Sequence, residues 1–211
     1  MNEKLRHKRL RLLVSKINKE RKRQGLKIDI LCKDLIGSQR EFINRLDTLS
    51  FAATFYESIV GTTDTGGLFY MTSRLIREKI PNANVVFILR QAGTFELNLF
   101  ESDQPIALDK QHLENCFTPE IVDNICKSNK ICTLDDMFAM GLQGNLTVLK
   151  KITAAAIPLG SFAAPLGFIL IYRSVQNEFT DSELNNITAI TPGLSRAIQS
   201  CQVLSHANDL K

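Results

Sequence analysis

The chain has 211 residues, 44% of them hydrophobic, and a formal net charge of +4. This length and apolar content allow one substantial buried core with an extension beside it. No apolar run reaches the roughly 18 residues that a membrane-spanning helix needs, and no secretory leader is evident, so we expect a cytoplasmic protein without a membrane span. The five cysteines include no Cys-x-x-Cys pair, which favours buried free thiols over disulfides or a zinc site.

The first 27 residues are strongly basic. They contain eleven Lys and Arg against Glu3 and Glu20, so their net charge is +9 and the rest of the chain carries −5. A basic arm of this kind can bind nucleic acid, an anionic membrane surface or an acidic protein partner, and it can also be the solvated face of a helix. The arm has no aromatic residues for base stacking and is too short for a helix-turn-helix module, so nucleic acid is the less favoured partner.

Residues 1–60 contain no proline, and this predicts a helical arm that could form a coiled coil. The apolar positions of its second half follow a heptad pattern, although Ser38 and Arg45 interrupt the d positions. The stripe could be covered by the protein's own domain or by a second copy, and we expect a homodimer. The candidate dimer interface consists of Ile28, Leu31, Leu35, Phe42, Leu46 and Leu49.

The middle of the chain is predicted to alternate between helices and strands. Gly61–Gly67 breaks the helical pattern and marks a boundary. The predicted elements after it are a helix over 68–79, strands over 85–89 and 95–100, a helix over 119–127 capped by Thr118, and a strand over 131–134.

The last third of the chain predicts a hairpin and a capped helix. An apolar run beginning at Ile152 closes on Pro158-Leu159, a turn occupies 160–165, and a second apolar run covers 166–172. Phe179-Thr180-Asp181-Ser182-Glu183 then supplies an N-cap and an acidic first turn for a helix over 181–205.

This succession resembles the second half of a GAF domain: a strand ending in Pro-Leu, a turn, a Gly-Phe-Ile strand, a Phe-Thr-Asp-x-Glu-Leu motif and a closing helix. The resemblance covers about residues 68–202. It implies an α+β fold with a six-stranded antiparallel sheet and packed helices, here preceded by a long N-terminal helix. The domain would occupy 61–205, with a tail over 206–211. In the family, the first and last helices commonly form a dimer bundle.

The resemblance also suggests where a ligand would bind. Phe138–Lys151 is irregular, and the matching region of GAF domains often folds over a small-molecule pocket. The alternative is an ordinary surface loop whose methionines fill the core. In the ligand-binding interpretation, Asp135, Asp136, Asn145 and Thr147 would orient the molecule, and Phe117, Met137 and Met140 would form apolar walls.

The known chemistries of the family fit this chain poorly. The cyclic-nucleotide signature is incomplete, no cysteine precedes a histidine as in bilin-binding relatives, and no clustered residues predict a metal site, so we expect no cofactor. A thiol-dependent reductase remains a rival because Cys116 loosely matches one position of such enzymes, but residues 138–157 contain no cysteine to serve as the nucleophile. We therefore expect no enzymatic activity and no catalytic residues.

Together, these patterns indicate a sensory or regulatory module. It would bind a small molecule or a separate signalling protein and would transmit the signal through rearrangement of its dimer helices. The two rivals are nucleic-acid or acidic-partner binding through the basic arm and the thiol-dependent reductase.

Overall fold

A computed structural model describes residues 3–91, 94–102, 110–144, 146–161 and 163–209. The chain divides into two compact units, residues 1–47 and 48–211. The described residues of the first unit all belong to the helix α1, Glu3–Ile59, and the last twelve residues of that helix are part of the second unit. The long N-terminal helix predicted from the sequence is therefore confirmed.

The second unit is built on one antiparallel sheet with the order β2-β1-β5-β4-β3. Its strands are β1 Asn84–Gln91, β2 Thr94–Phe100, β3 Cys132–Thr133, β4 Ile152–Ser161 and β5 Ala164–Ser174. The described residues thus contain five strands, one fewer than the six that the family resemblance implied. Strand β3 is only two residues long because Thr133 caps a helix that begins at the next residue.

Within the described ranges, six helices follow α1: α2 Thr65–Lys79, α3 Lys110–Cys116, α4 Pro119–Ser128, α5 Leu134–Ala139, α6 Leu146–Leu149 and α7 Asp181–Asp209. The predicted caps are present. Thr118 accepts a hydrogen bond from the backbone N–H of Ile121, and Thr180 and Glu183 form a reciprocal capping box at the start of α7. Within the described residues, no helix is long and apolar enough to cross a bilayer.

The two faces of the sheet belong to two separate hydrophobic clusters. Side chains alternate between the faces along each strand, and in β1, β4 and β5 the alternation follows residue parity. Odd residues pack against α2, α7 and the end of α1; these are Val85, Phe87, Leu89, Ala155, Ile157, Leu159, Ile169 and Ile171, here called the odd face. Even residues pack against α3–α6; these are Val86, Ile88, Ile152, Ala154, Ala156, Phe168, Leu170 and Tyr172, here called the even face. The sheet therefore has helices on both sides and supports two cores.

A buried ion pair fixes the loop between β5 and α7. Arg173, only 7% exposed, makes two parallel hydrogen bonds to the carboxylate of Glu183, at 3.0 and 2.8 Å. Its guanidinium also donates to the backbone carbonyls of Asn177 and Glu178 and lies over the ring of Phe179. Burial opposes ionisation of Glu183, but the hydrogen bonds from Arg173 and Thr180 outweigh it and lower the pKa of that carboxyl.

On the odd-face side, the end of α1 packs against α7 where α7 contains a glycine. The ring of Tyr56 covers Gly193, and a Cβ there would overlap the ring and lie 2.8 Å from its Cδ1. The hydroxyl of Tyr56 donates to the carbonyl of Ala189. A second link joins the same helices, since Thr48 Oγ1 donates to Asn186 Oδ1 at 2.7 Å. The absence of a side chain at residue 193 is what allows this close approach.

We predict that the effect of Gly193→Ala changes sign with residue 56. In the wild-type background, the new methyl group should lower the free energy of unfolding by about 1–2 kcal/mol through overpacking. In a Tyr56→Ala background, the same substitution should be neutral or stabilising by up to about 1 kcal/mol, because alanine is the better helix former. Urea unfolding of the four proteins measures both effects. Equal effects in the two backgrounds would contradict the contact.

Candidate functional site

The candidate site is a very small cavity between the even face and helices α3–α6, almost filled by its own side chains. Its volume is about 20 Å³, close to the space for a single water molecule. The cavity is almost wholly apolar, and its lining consists of Leu113, Cys116, Phe117, Leu134, Met137, Leu142, Leu149, Ile152, Ala154, Leu170 and Tyr172. In this conformation the site is packed shut.

The residues predicted as apolar walls lie at or beside this cavity. Phe117 and Met137 line it and are buried. Met140 is partly buried and packs against the same cluster. Phe117 also contacts the ring of Phe168, on the even face, with ring centroids 5.6 Å apart. The structure thus brings together the apolar half of the predicted site.

The predicted polar half is arranged differently. Asp135 is exposed and does not line the cavity. The carboxylate of Asp136 accepts hydrogen bonds from the backbone N–H and the hydroxyl of Thr133, which lower its pKa and complete a capping box at the start of α5. Thr147 lies in α6, and its side chain is outside the described part of the structure, as is the whole of Asn145. Asp136 therefore has a structural role that the sequence analysis did not assign to it.

Cys116 and Tyr172 also line the cavity, and neither was predicted as a ligand-binding residue. Burial raises the pKa of the Cys116 thiol and, together with the charge of Glu101, that of the Tyr172 hydroxyl. Both groups are therefore neutral at physiological pH. The alternation of the run 166–172 would have identified Tyr172, because it shares its face with Phe168 and Leu170.

A glycine allows the loop after α5 to close over the cavity. A Cβ at Gly144 would lie 2.7 Å from Cys116 Sγ and 2.9 Å from Leu149 Cδ1. The backbone N–H of Gln143 donates to the carbonyl of Cys116, which ties this loop to the end of α3. The irregular segment singled out in the sequence is thus the cover of the cavity.

Cys116 and Cys126 have pKa shifts opposite to those of a reactive thiol. A reactive cysteine needs a thiolate, which a lowered pKa provides. Burial instead raises the pKa of Cys116, and it raises the pKa of Cys126 to about 11. Among the described residues, no three His, Cys, Asp or Glu side chains are grouped so that they could hold a metal ion.

The predicted dimer stripe is exposed along α1. Its six side chains, Ile28, Leu31, Leu35, Phe42, Leu46 and Leu49, are between 49% and 67% exposed. With about 3.6 residues per turn, they fall within an arc of about 60° on one side of the helix. Single exposed apolar residues are common on protein surfaces, but an apolar strip of this length is not.

No protein-family model and no curated protein sequence matches the chain. Its fold, however, is that of several solved structures. A GAF domain/HD domain protein from Geobacter sulfurreducens matches with a TM-score of 0.54 and 16% identity, over 69% of this chain and 98% of that one. The GAF domain of a phosphoenolpyruvate-protein phosphotransferase from Coxiella burnetii matches with a TM-score of 0.55 and 9% identity, over 76% of this chain and 98% of that one. A cyanobacteriochrome GAF domain matches with a TM-score of 0.53 and 16% identity, over 69% of this chain and 95% of that one. The chain contains a GAF-like domain, as the sequence resemblance predicted.

Proposed function

We propose that this GAF-like protein is a sensory or regulatory module in which an event on the even face of the sheet is passed to the helices on the odd face. The observation that carries the proposal is that even and odd residues of the same strand belong to different clusters. Along β4 and β5, successive residues face the cavity side and the helix-packing side in turn, so a shift of either strand would change the packing on both faces of the sheet. The solved GAF domains from a phosphotransferase and a cyanobacteriochrome lend support by analogy of fold.

One hydrogen bond offers a route from the sheet to α7. The hydroxyl of Ser195 accepts a hydrogen bond from the backbone N–H of Gly160, at 2.8 Å, where β4 turns towards β5. Gly160 has a positive φ, and the register of β4 and β5 shifts between Leu159 and Gly160. Displacement of this turn would therefore move a bonded residue of α7. Through Thr48 and Tyr56, α7 in turn contacts the end of α1.

The cavity restricts the signal that the module could receive. A volume of about 20 Å³ admits no small organic molecule, so a ligand would enter only if the cover formed by α3, α5 and the loop at Gly144 moved. The lining would favour a small, largely apolar molecule. The other route is contact of a separate signalling protein with the outer surface of the domain, and the same helices would transmit it.

A second copy of the chain would cover the apolar stripe of α1. The stripe places Ile28, Leu35, Phe42 and Leu49 at heptad spacing, and its members are large and exposed, as the seam of a parallel coiled coil requires. We propose a homodimer through this stripe, with rearrangement of the paired helices as the output. The protein would act without catalytic residues or a resident cofactor.

Native mass spectrometry of the gently purified full chain tests these proposals together. We expect a dimer mass for the wild type and a monomer mass for a Leu35→Glu, Phe42→Glu variant. The matched control is Ile30→Glu with Ile36→Glu, which places the same charges on exposed positions outside the stripe and should leave the dimer intact. Additional non-covalent mass on each subunit would identify a ligand class.

Two results would contradict the proposals. A monomeric wild type at micromolar concentration would exclude the homodimer. The second is an unchanged rate of hydrogen exchange in α7. If neither substitutions in the cavity lining, such as Met137→Ala, nor any bound ligand altered that rate, the sheet would not couple its two faces. In that case the fold would serve only as a scaffold.

A further inference from the structure

The basic segment of α1 carries a second apolar strip, on the same side of the helix as the dimer stripe but separated from it along the axis. Leu10, Leu13, Val14 and Ile17 are each more than half exposed. At about 100° per residue, they fall within an arc of about 100° on the helix. Between Ile17 and Ile28, the positions on this side are occupied by Arg21 and Gln24, so ten residues without an apolar side chain there separate the two strips.

Most of the charge lies on the other side of the same segment. Residues 6–23 contain nine Lys and Arg and one acidic residue, Glu20, and all are exposed. Seven of the nine fall within an arc of about 160° opposite the strip; they are Lys8, Arg9, Arg11, Lys16, Lys19, Lys22 and Arg23. The remaining two, Arg6 and Arg21, lie on the strip's own side, one turn before and one turn after it. The strip is thus a short apolar patch surrounded by cations.

We propose that residues 6–23 of α1 form an interfacial helix that binds an anionic lipid surface. The four apolar side chains would insert at the boundary between headgroups and acyl chains, and the flanking Arg and Lys would reach the lipid phosphates and carboxylates along their flexible stems. A strip of four residues is too small to hold a helix on a neutral bilayer by itself. The basic residues, each attracted to an anionic surface, supply the remainder of the affinity.

Two other binding partners, nucleic acid and a second copy of the chain, would each use only the cations or only the apolar strip. Nucleic acid would engage the cations but would leave four large apolar side chains exposed to water, since phosphate contacts need no apolar partner. A second copy of the chain could cover the apolar strip if the pairing extended from the dimer stripe into this segment. That would hold two segments of like charge about 10 Å apart, a distance comparable with the screening length of about 8 Å at physiological salt, so their repulsion would be only partly screened. An anionic membrane surface satisfies the apolar strip and the charge at once.

The chain contains no tryptophan, so a single introduced indole reports its own surroundings. Leu13 lies in the strip and its neighbour Leu12 lies among the cations, and both are exposed. In the full-length protein, we expect the emission of the Leu13→Trp variant to shift to the blue when vesicles of phosphatidylcholine with phosphatidylserine are added. The matched Leu12→Trp variant should shift much less, and phosphatidylcholine alone should shift neither.

Vesicle co-sedimentation gives the affinity. Leu13→Gln with Ile17→Gln should weaken binding to the anionic vesicles at least about tenfold, and raising the salt should weaken wild-type binding by a similar factor. A variant with Leu35→Gln and Phe42→Gln, two residues of the dimer stripe, should still prefer anionic over neutral vesicles. The dimer proposal and the lipid proposal can therefore fail independently of each other.

Three outcomes would overturn the proposal. Equal binding to neutral and anionic vesicles, or none to either, would exclude an anionic lipid surface. Binding to duplex DNA that survives Leu13→Gln with Ile17→Gln, without vesicle binding, would assign the cations to nucleic acid. A blue-shifted Leu13→Trp emission in the absence of vesicles, with loss of the dimer in the Leu13→Gln, Ile17→Gln variant, would assign the strip to a second copy of the chain.

Discussion

Replacement of Arg173 by methionine is expected to lower the free energy of unfolding by about 3 kcal/mol. Methionine keeps an apolar side chain of similar length but removes the guanidinium, which lies over the ring of Phe179. The carboxylate of Glu183, whose side chain is only 19% exposed, then loses its paired donors, and the carbonyls of Asn177 and Glu178 lose theirs. Since small domains are typically stable by about 5–15 kcal/mol, this is a large fraction of the total. Urea unfolding monitored by circular dichroism measures it.

The matched control is Arg74→Met. Arg74 pairs with Glu78 at 3.0 Å, but both side chains are more than half exposed, so we expect a loss below about 0.5 kcal/mol. Acid adds a second check. The folded-state pKa of Glu183 is lowered, so the ion pair stabilises the protein above the unfolded pKa of a glutamate and loses its effect as the pH falls through the folded pKa. The difference between wild type and Arg173→Met should shrink in that range. A constant difference would contradict the pairing.

Gly167→Ala is expected to cost about 4 kcal/mol or to prevent folding. Gly167 lies in β5 with a φ of +148°, which an L side chain rarely adopts, and a Cβ there would overlap the carbonyl oxygen of Ile88 and lie 2.9 Å from Leu89 Cα. Both contacts are backbone atoms of β1 in the centre of the sheet, so neither can move aside without disturbing the ladder. Backbone strain of about 1–3 kcal/mol and overpacking of a similar size add together.

Gly141→Ala separates the two contributions. Gly141 also has a positive φ, +101°, but no atom lies within 4 Å of the position of its Cβ. It should therefore show the conformational cost alone, about 1–2 kcal/mol. Thermal and urea unfolding of both variants provide the comparison. Similar losses in the two variants would show that the approach of β5 to β1 is not the limiting contact.

The elements that could be predicted from the sequence are those set by neighbouring residues. The caps at Thr118 and Thr180 were predicted because a cap needs only a side-chain oxygen and the next three backbone N–H groups. The two runs around the turn at 160–165 were predicted as a hairpin because they meet directly. The same local rule, applied to Thr133 and Asp136, would have assigned Asp136 to a cap rather than to a ligand.

The features that escaped prediction depend on contacts distant in sequence. The need for glycine at residue 167 comes from β1, about eighty residues earlier, and the pairing register of the strands decides it. The buried position of Arg173 depends on where α7 begins. The cavity volume depends on how Met137, Leu149 and Leu170 pack against one another. The spacing of these residues in the sequence does not determine that packing, so the volume could not be predicted. Residue types therefore indicated an apolar site, and packing determined that it is closed.

The parity of the strands has a consequence for how the protein can evolve. Because odd and even residues of β1, β4 and β5 enter different clusters, the two cores share a backbone but hardly any side chains. Selection can therefore change Ala154, Ala156 or Leu170 and enlarge the space under α3–α6, while the residues of the odd face, which packs against α7 and the end of α1, stay the same. Under the proposed sensory function, descendants of such a chain could respond to a different stimulus and retain the same output through the helices. Relatives with different ligands should then diverge faster at the even positions of these strands than at the odd ones.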